Sequence, residues 1–154
     1  MTSSEKPVAN ASPTAPVPAP ASKFSAENTP FSRIGGEDAV RALVERFYDV
    51  MDQHEPELAA LHALENGRVS RRARDRFASF LIGWLGGPDE YVQQNGHPRL
   101  RMRHAHLPVS GAMRDAWVAC MRRALDHRDV DPELRSFLEL RFVELAEHLR
   151  NMPG

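Results

Sequence analysis

The sequence lacks most of what stabilises secreted or membrane-spanning chains. Among its 154 residues only Cys120 is a cysteine, so no internal disulfide forms, which is typical of a reducing compartment. No apolar run approaches the roughly 20 residues that a helix needs to cross a bilayer. The first residues also lack the basic start and apolar core of a secretory signal. We therefore expect a cytoplasmic chain with no membrane partner.

Excess charge and the common catalytic motifs are absent as well. Lys and Arg number 20 against 21 Asp and Glu, and the formal net charge of −1 gives no reason to expect nucleic acid as a partner. The sequence contains no glycine-rich phosphate loop, paired-histidine zinc motif, nucleophile-elbow serine or paired-cysteine motif. The usual nucleotide, zinc and hydrolase chemistries are therefore not predicted.

Proline and alanine dominate the beginning of the chain. The stretch 7–20 has no large aliphatic or aromatic side chain. Apolar burial therefore cannot offset the cost of ordering its backbone, about 1–2 kcal/mol per residue. We predict a disordered tail over residues 1–29, partly in the polyproline II conformation, and one folded domain over residues 30–154. A docking motif for a partner is the alternative to a plain solubilising tail, and the plain tail is favoured.

Beyond the tail, apolar residues recur at the three- and four-residue spacing of amphipathic helices. Asn66-Gly67 predicts a loop, residues 89–96 a polar connection and residues 98–104 a short helix. No segment of alternating β-branched residues predicts a strand. Glycine and proline separate the helices and predict sharp corners at Gly35-Gly36, Gly86-Gly87-Pro88 and Pro108. The prediction is an all-α bundle of four substantial helices and several short ones.

Seven histidines are the remaining candidates for chemistry. His97, His104 and His106 cluster around the predicted short helix that follows the second glycine corner. A neutral imidazole is a common metal ligand. Most histidines nevertheless lie at the surface or in a satisfied core position, so composition alone does not select one of the three.

Several uncommon residues occur in one order over about residues 31–150, and this order resembles the second group of truncated haemoglobins. The likeness is carried by Gly35-Gly36, Phe47-Tyr48, Gly83-Trp84-Leu85-Gly86-Gly87-Pro88, Tyr91, the run from Gly96 to His104 and the run from Arg114 to Met121. The resemblance implies a truncated globin-like, two-on-two helical sandwich around one haem b (iron protoporphyrin IX).

The resemblance also implies which residues form the site. His104 is expected to bind the iron, whereas His97 and His106 are expected to be surface or structural residues. The opposite face of the haem is expected to carry Tyr48, His62 and Trp117, with Ala73 leaving space. Segment 63–72 looks longer than is usual in this group, which leaves the placement of His62 open. The other expected cofactor contacts are Phe77, Phe80, Leu81, Tyr91, Leu100 and two propionate-binding arginines, Arg76 and Arg103.

The resemblance implies binding of O₂ and other diatomic ligands such as CO or NO. Donors from Tyr48 and Trp117 would each stabilise a bound ligand by about 0.5–1.5 kcal/mol. This favours tight binding or redox detoxification over transport. Without the resemblance, we would interpret both residues as core residues whose polar groups are hydrogen-bonded within the protein.

Other functions stay open to such a chain. Peroxidase-like turnover or oxidation of nitric oxide is open to a haem site of this kind, with electrons from a separate reductase. The alternative of another class is a haem-free, globin-like helical regulator or interaction module. A nucleic-acid-binding helical domain is disfavoured by the charge. The oligomeric state is not predicted.

Overall fold

The computed structural model of the chain describes residues 27–96 and 98–152. The elements there are, in chain order, α1 (Pro30–Ile34), α2 (Glu37–His54), α3 (Pro56–Ala59), β1 (Leu64–Glu65), β2 (Arg68–Val69), α4 (Arg71–Trp84), α5 (Glu90–Asn95), α6 (Leu100–His104), α7 (Gly111–Asp126) and α8 (Pro132–Leu149). The predicted tail over residues 1–29 lies almost wholly outside the described residues and stays a prediction.

The two C-terminal helices begin at residues whose side chains cap them. Ser110 accepts a hydrogen bond on its hydroxyl from the Met113 N–H at 3.2 Å, ahead of α7. The Asp131 carboxylate accepts one from the Leu134 N–H at 2.9 Å, and Pro132 occupies the first turn of α8. Each cap satisfies an N–H that has no partner inside its own helix.

The second glycine corner brings the end of α4 against α1. The Phe31 N–H donates to the Leu85 carbonyl at 2.9 Å. A Cβ at Gly87 would come within 2.7 Å of the Phe31 ring and 2.9 Å of the Ile82 carbonyl oxygen. Only glycine allows this close approach, so the corner fixes where α4 stops and where the chain turns toward the candidate site.

The core lies between the four long helices. Helix α2 packs against α4 and α7, and α7 packs against α8. The largest fully buried side chains include Phe47, Met51, Leu81, Met121, Leu138 and Phe142. Cys120 of α7 lies in this core at 1% exposure, and burial raises the pKa of its thiol to about 12. Within the described part of the chain, no helix is both long and apolar enough to cross a membrane.

One predicted loop is a β-hairpin. Leu64 pairs with Val69 and Glu65 with Arg68, in antiparallel register. Asn66 and Gly67 connect the strands with φ of 55° and 77°. Positive φ at both central residues is what a type I′ hairpin turn requires. The prediction that the chain contains no strand is therefore wrong over these four residues.

The region between the second glycine corner and His104 also differs from its prediction. The predicted polar connection over residues 89–96 contains helix α5, which buries Tyr91 against Phe80 with 5.9 Å between ring centroids. Helix α6 begins at Leu100 rather than near Pro98, because Arg99 adopts a left-handed conformation (φ 49°, ψ 52°) that does not belong to a helix.

Candidate functional site

A cavity opens between α3, α6, α7 and α8. Its empty volume, including the open mouth, is about 560 Å³. The walls are mainly apolar and consist of Leu58, Leu61, His62, His104, Leu107, Val109, Met113, Arg114, Trp117, Ala146 and Leu149. Three of the predicted site residues, His62, His104 and Trp117, therefore meet in one cavity although they come from different parts of the chain.

His104 is the last residue of α6 and is partly buried. Its Nδ1 lies 2.8 Å from the Leu100 carbonyl oxygen, one turn earlier. A carbonyl oxygen only accepts, so in the neutral imidazole Nδ1 carries the proton and Nε2 has the lone pair. Among the described residues none hydrogen-bonds this Nε2. A metal-ligating histidine is usually oriented in this way, with its other ring nitrogen donating to a carbonyl.

His62 follows α3 and has a similar arrangement. Its Nδ1 lies 3.1 Å from the Leu58 carbonyl oxygen. Burial lowers the pKa of His62 and the nearby His104 lowers it further, outweighing the hydrogen bonds to the Leu58 and Ala59 carbonyls. The ring is therefore neutral near pH 7 and presents an Nε2 lone pair. In this state His62 accepts a hydrogen bond at Nε2, and donation there requires protonation or the other tautomer.

A continuous aromatic cluster is formed by the rings of Tyr48, His62, Phe77 and Trp117, of which His62 and Trp117 line the cavity. Centroids are separated by 5.4 Å between Tyr48 and His62, 5.8 Å between Tyr48 and Phe77, and 6.1 Å between Phe77 and Trp117. Such edge-to-face distances are favourable for aromatic pairs. The cluster therefore connects α2, the segment after α3, α4 and α7 around one side of the site.

Two hydrogen-bond donors of this cluster have no partner among the described residues. The Tyr48 hydroxyl and the Trp117 indole N–H bond to no other described residue, and no fully buried polar side-chain atom in that part of the chain lacks a partner. Both tips therefore still reach accessible space. Burial raises the pKa of Tyr48, against a smaller effect of Arg74, so the hydroxyl stays protonated and able to donate at neutral pH.

The remaining aromatic and aliphatic candidates lie behind the cavity wall. Phe80 stacks against Phe77 and Trp84 at 6.4 Å and 6.2 Å between centroids. Tyr91 packs on the edge of Phe80, and Leu81 is fully buried in the core. None of the three candidates, Phe80, Leu81 or Tyr91, lines the cavity.

The remaining predicted site residues are more exposed to solvent than the aromatic core residues. Arg76 and Arg103 lie at the surface, and neither pairs with a carboxylate among the described residues. Leu100 is half-buried at the start of α6, and Ala73 is half-buried on α4. His106 is exposed, whereas the prediction for His97 falls outside the described residues.

The structure adds a buried arginine that the sequence did not indicate. The Arg74 side chain is 4% exposed and pairs with three carboxylates of α2: Glu45 at 3.0 Å, Asp49 at 2.8 Å and Asp52 at 2.8 Å. Burial acts to lower the pKa of Arg74, but hydrogen bonds to Asp49 and Glu45 outweigh it and the pKa is raised. The three acids recur at helical spacing, a pattern that usually indicates a solvated face.

Arg74 also connects the hairpin to the aromatic cluster. Its Nε donates to the Val69 carbonyl of β2 at 2.9 Å, and its guanidinium lies 5.7 Å from the centroid of the Tyr48 ring. Asp52, one of its partners, accepts from the Val69 N–H at 3.1 Å. This arginine of α4 therefore connects the hairpin after His62 to α2, beside the ring of Tyr48.

Comparison with known proteins gives the family. The family model for bacterial-like globins matches residues 29–151. Over 124 residues the chain is 36% identical to the group 2 truncated haemoglobin YjbI of Bacillus subtilis, covering 80% of this chain and 89% of that protein. The chain belongs to the group 2 truncated haemoglobins. This membership implies haem b as the cofactor of the globin and O₂ and other diatomic gases as its ligands.

Solved structures of truncated haemoglobins share the fold of this globin. The cold-adapted truncated haemoglobin of the Antarctic marine bacterium Pseudoalteromonas haloplanktis has a TM-score of 0.74 and 40% identity, with 80% of this chain and 98% of that chain covered. The truncated oxygen-avid haemoglobin of Bacillus subtilis has a TM-score of 0.72 and 34% identity, with 80% and 100% covered. The predicted all-α, truncated-globin fold is confirmed.

The cavity fits a haem on its own chemistry. It combines largely apolar walls with an imidazole whose Nε2 is free, while Trp117 on its wall and the neighbouring Tyr48 keep unpartnered donors. An apolar cavity with a few convergent polar groups is the usual form of a cofactor site.

Proposed function

We propose that His104 would bind the haem iron through its Nε2 and that Tyr48, His62 and Trp117 would bound the space in which the gas binds. The observation that carries this is the His104 ring, fixed by the Leu100 carbonyl at 2.8 Å with its Nε2 free in the apolar cavity. Haem iron supplies a centre that takes one imidazole and, in the ferrous state, one diatomic gas.

The side chains around the gas favour retention over release. Trp117 and Tyr48 each offer a donor that has no partner in the described part of the chain, and each hydrogen bond contributes about 0.5–1.5 kcal/mol. Two such bonds slow the escape of a polar ligand by roughly ten- to hundredfold. High-affinity binding or redox detoxification therefore suits this site better than transport. A similar chain described as oxygen-avid supports the same reading.

Other residues support the haem itself. The exposed guanidinium groups of Arg76 and Arg103 are suited to the propionates, because Arg matches a carboxylate with two parallel donors. Haem contacts are also proposed for Leu100, Leu81 and three aromatic residues. Phe77 packs on Trp117 of the cavity wall, Phe80 stacks on Phe77, and Tyr91 packs on Phe80. The single buried thiol suits a cytoplasmic, reducing setting. Turnover of peroxide or nitric oxide at this site would draw electrons from a separate reductase.

The test of this function is haem addition to the purified chain. We expect a one-to-one titration with haemin and a Soret band that shifts when the reduced protein meets CO. A chain that stays colourless in excess haemin contradicts the proposal and favours the haem-free regulator. A Soret band without any shift in CO contradicts gas binding alone.

If Trp117 donates a hydrogen bond to the bound gas, its substitution should change the rate at which O₂ dissociates. Trp117→Phe keeps an aromatic ring at the cavity but removes the indole N–H. We expect the O₂ dissociation rate to rise about two- to tenfold, the equivalent of one hydrogen bond, as measured by stopped flow. Trp84→Phe is the matched control, because the Trp84 ring packs on Phe80 and Phe142 outside the cavity lining. Equal rates in the two variants would remove Trp117 from the mechanism.

A further inference from the structure

The helix that carries His104 is weakly fixed by its own packing. Helix α6 has five residues and none of them is buried. Its N-cap residue Arg99 makes no side-chain cap hydrogen bond and has a left-handed backbone. The segment that continues from it supplies Leu107 and Val109 to the cavity wall. Something outside α6 must therefore hold residues 104–109 in place.

Asn151, just beyond α8, forms hydrogen bonds to this segment through both the oxygen and the nitrogen of its side-chain amide. Its Nδ2 donates to the carbonyls of His104 at 3.3 Å and Leu107 at 3.0 Å. Its Oδ1 accepts from the Val109 N–H at 3.0 Å, and its backbone N–H donates to the Val109 carbonyl at 2.8 Å. One side chain therefore joins the carbonyl of His104 to both cavity-lining residues of the following loop.

Asn151 is itself anchored to the long helices. The preceding Arg150 pairs with Glu147 of α8 at 3.1 Å and also donates to the Met152 carbonyl at 3.3 Å. Glu147 in turn pairs at 2.6 Å with Arg114, a cavity-lining residue of α7. The hydrogen bonds of Asn151 therefore connect residues 104–109 to the rigid part of the fold.

We propose that Asn151 is a positioning residue for the haem: by fixing residues 104–109 it sets the orientation of the His104 ring and slows haem loss. The amide is matched to this task, because two carbonyls require donors and one N–H requires an acceptor. A carboxylate in its place keeps the acceptor but loses both donors. This inference rests on the proposed function, in which His104 binds the haem iron.

The experiment compares haem-loaded Asn151→Ala, Asn151→Asp and wild-type protein. We expect both variants to lose haem to apomyoglobin about three- to tenfold faster. We also expect a shifted or broadened iron–histidine stretching band in the resonance Raman spectrum of the deoxygenated ferrous protein. Asn95→Ala is the matched control, because Asn95 is also exposed but donates only to the Tyr91 carbonyl of its own helix, at 3.1 Å.

The outcomes separate this inference from the function on which it rests. An Asn151→Ala protein with the haem-loss rate and iron–histidine band of Asn95→Ala overturns the positioning role. A lower melting temperature with an unchanged band also overturns it, because that result reports only a structural contact. A wild-type protein that takes up no haem contradicts the proposed function instead.

Discussion

Replacing His104 by glycine is expected to remove the iron–histidine band and to speed haem loss by at least about a hundredfold. Changing a group that hydrogen-bonds directly to the ring of a metal-ligating histidine costs about 10–100-fold in affinity, so losing the ligand itself costs more. Apolar contacts along Leu107, Val109 and Leu149, together with the proposed propionate-binding arginines, would then hold the haem without a bond from His104 to the iron. Resonance Raman spectra of the ferrous protein and transfer of haem to apomyoglobin measure the two effects.

Free imidazole provides the complementary result for His104→Gly. The glycine leaves space for an imidazole molecule, and its addition should restore the Soret position and the iron–histidine band. His106→Gly is the control, because His106 lies two residues further along the chain and is exposed. If His104→Gly keeps the wild-type band without imidazole, then another histidine holds the iron and the proposed assignment is wrong.

Substitution of Arg74 by methionine is expected to lower the free energy of unfolding by about 3–5 kcal/mol. Methionine fills similar space but leaves the carboxylates of Glu45, Asp49 and Asp52 without their shared partner. The Asp52 side chain is only 9% exposed, so little water is available to solvate its charge. Since domains are typically stable by 5–15 kcal/mol, this is a large share. Urea denaturation measures it.

Arg71→Met is the matched control for the Arg74 substitution. Arg71 lies one turn earlier on α4 and also pairs with Glu45, but its side chain is 60% exposed. Exposed pairs contribute about 0–1 kcal/mol, so we expect a loss below about 1 kcal/mol. Adding Asp52→Asn to Arg74→Met should recover part of the stability, because it removes a buried charge that has lost its nearest cationic partner and keeps only Arg68, at 3.7 Å. Equal losses for the two arginines would contradict the argument from burial.

The long helices can be predicted from the sequence because their ends depend on residues that are close together in the chain. Ser110 and Asp131 cap α7 and α8, and the glycine pair ends α4, because these features depend on residues a few positions away. Helix α5 escapes prediction since Tyr91 is the only buried residue in it. The hairpin escapes because its strands have two residues each, although Asn66-Gly67 is the strongest short hairpin signal.

The candidate site also contains some residues that the sequence indicates and some contacts that it does not. His104, His62 and Trp117 are expected together only through the family resemblance, and the structure places them in one cavity. Spacing does not predict the partners of Arg74, which lie 22 to 29 residues away on α2. The side-chain partners of Asn151 lie 42 to 47 residues away. Pairings of this kind come from tertiary packing, which a single sequence does not reveal.

The reactivity of Cys120 can be used to measure local opening of this globin's core. A thiol reacts as the thiolate, and a pKa of about 12 with 1% exposure leaves almost none of it reachable while α7 stays packed. Alkylation therefore proceeds only through transient openings, at a rate set by how often they occur. Because the chain has a single thiol, the fraction of molecules that gain one alkyl mass reports opening at one known position. Any tightening of the interior by haem becomes measurable without an added probe.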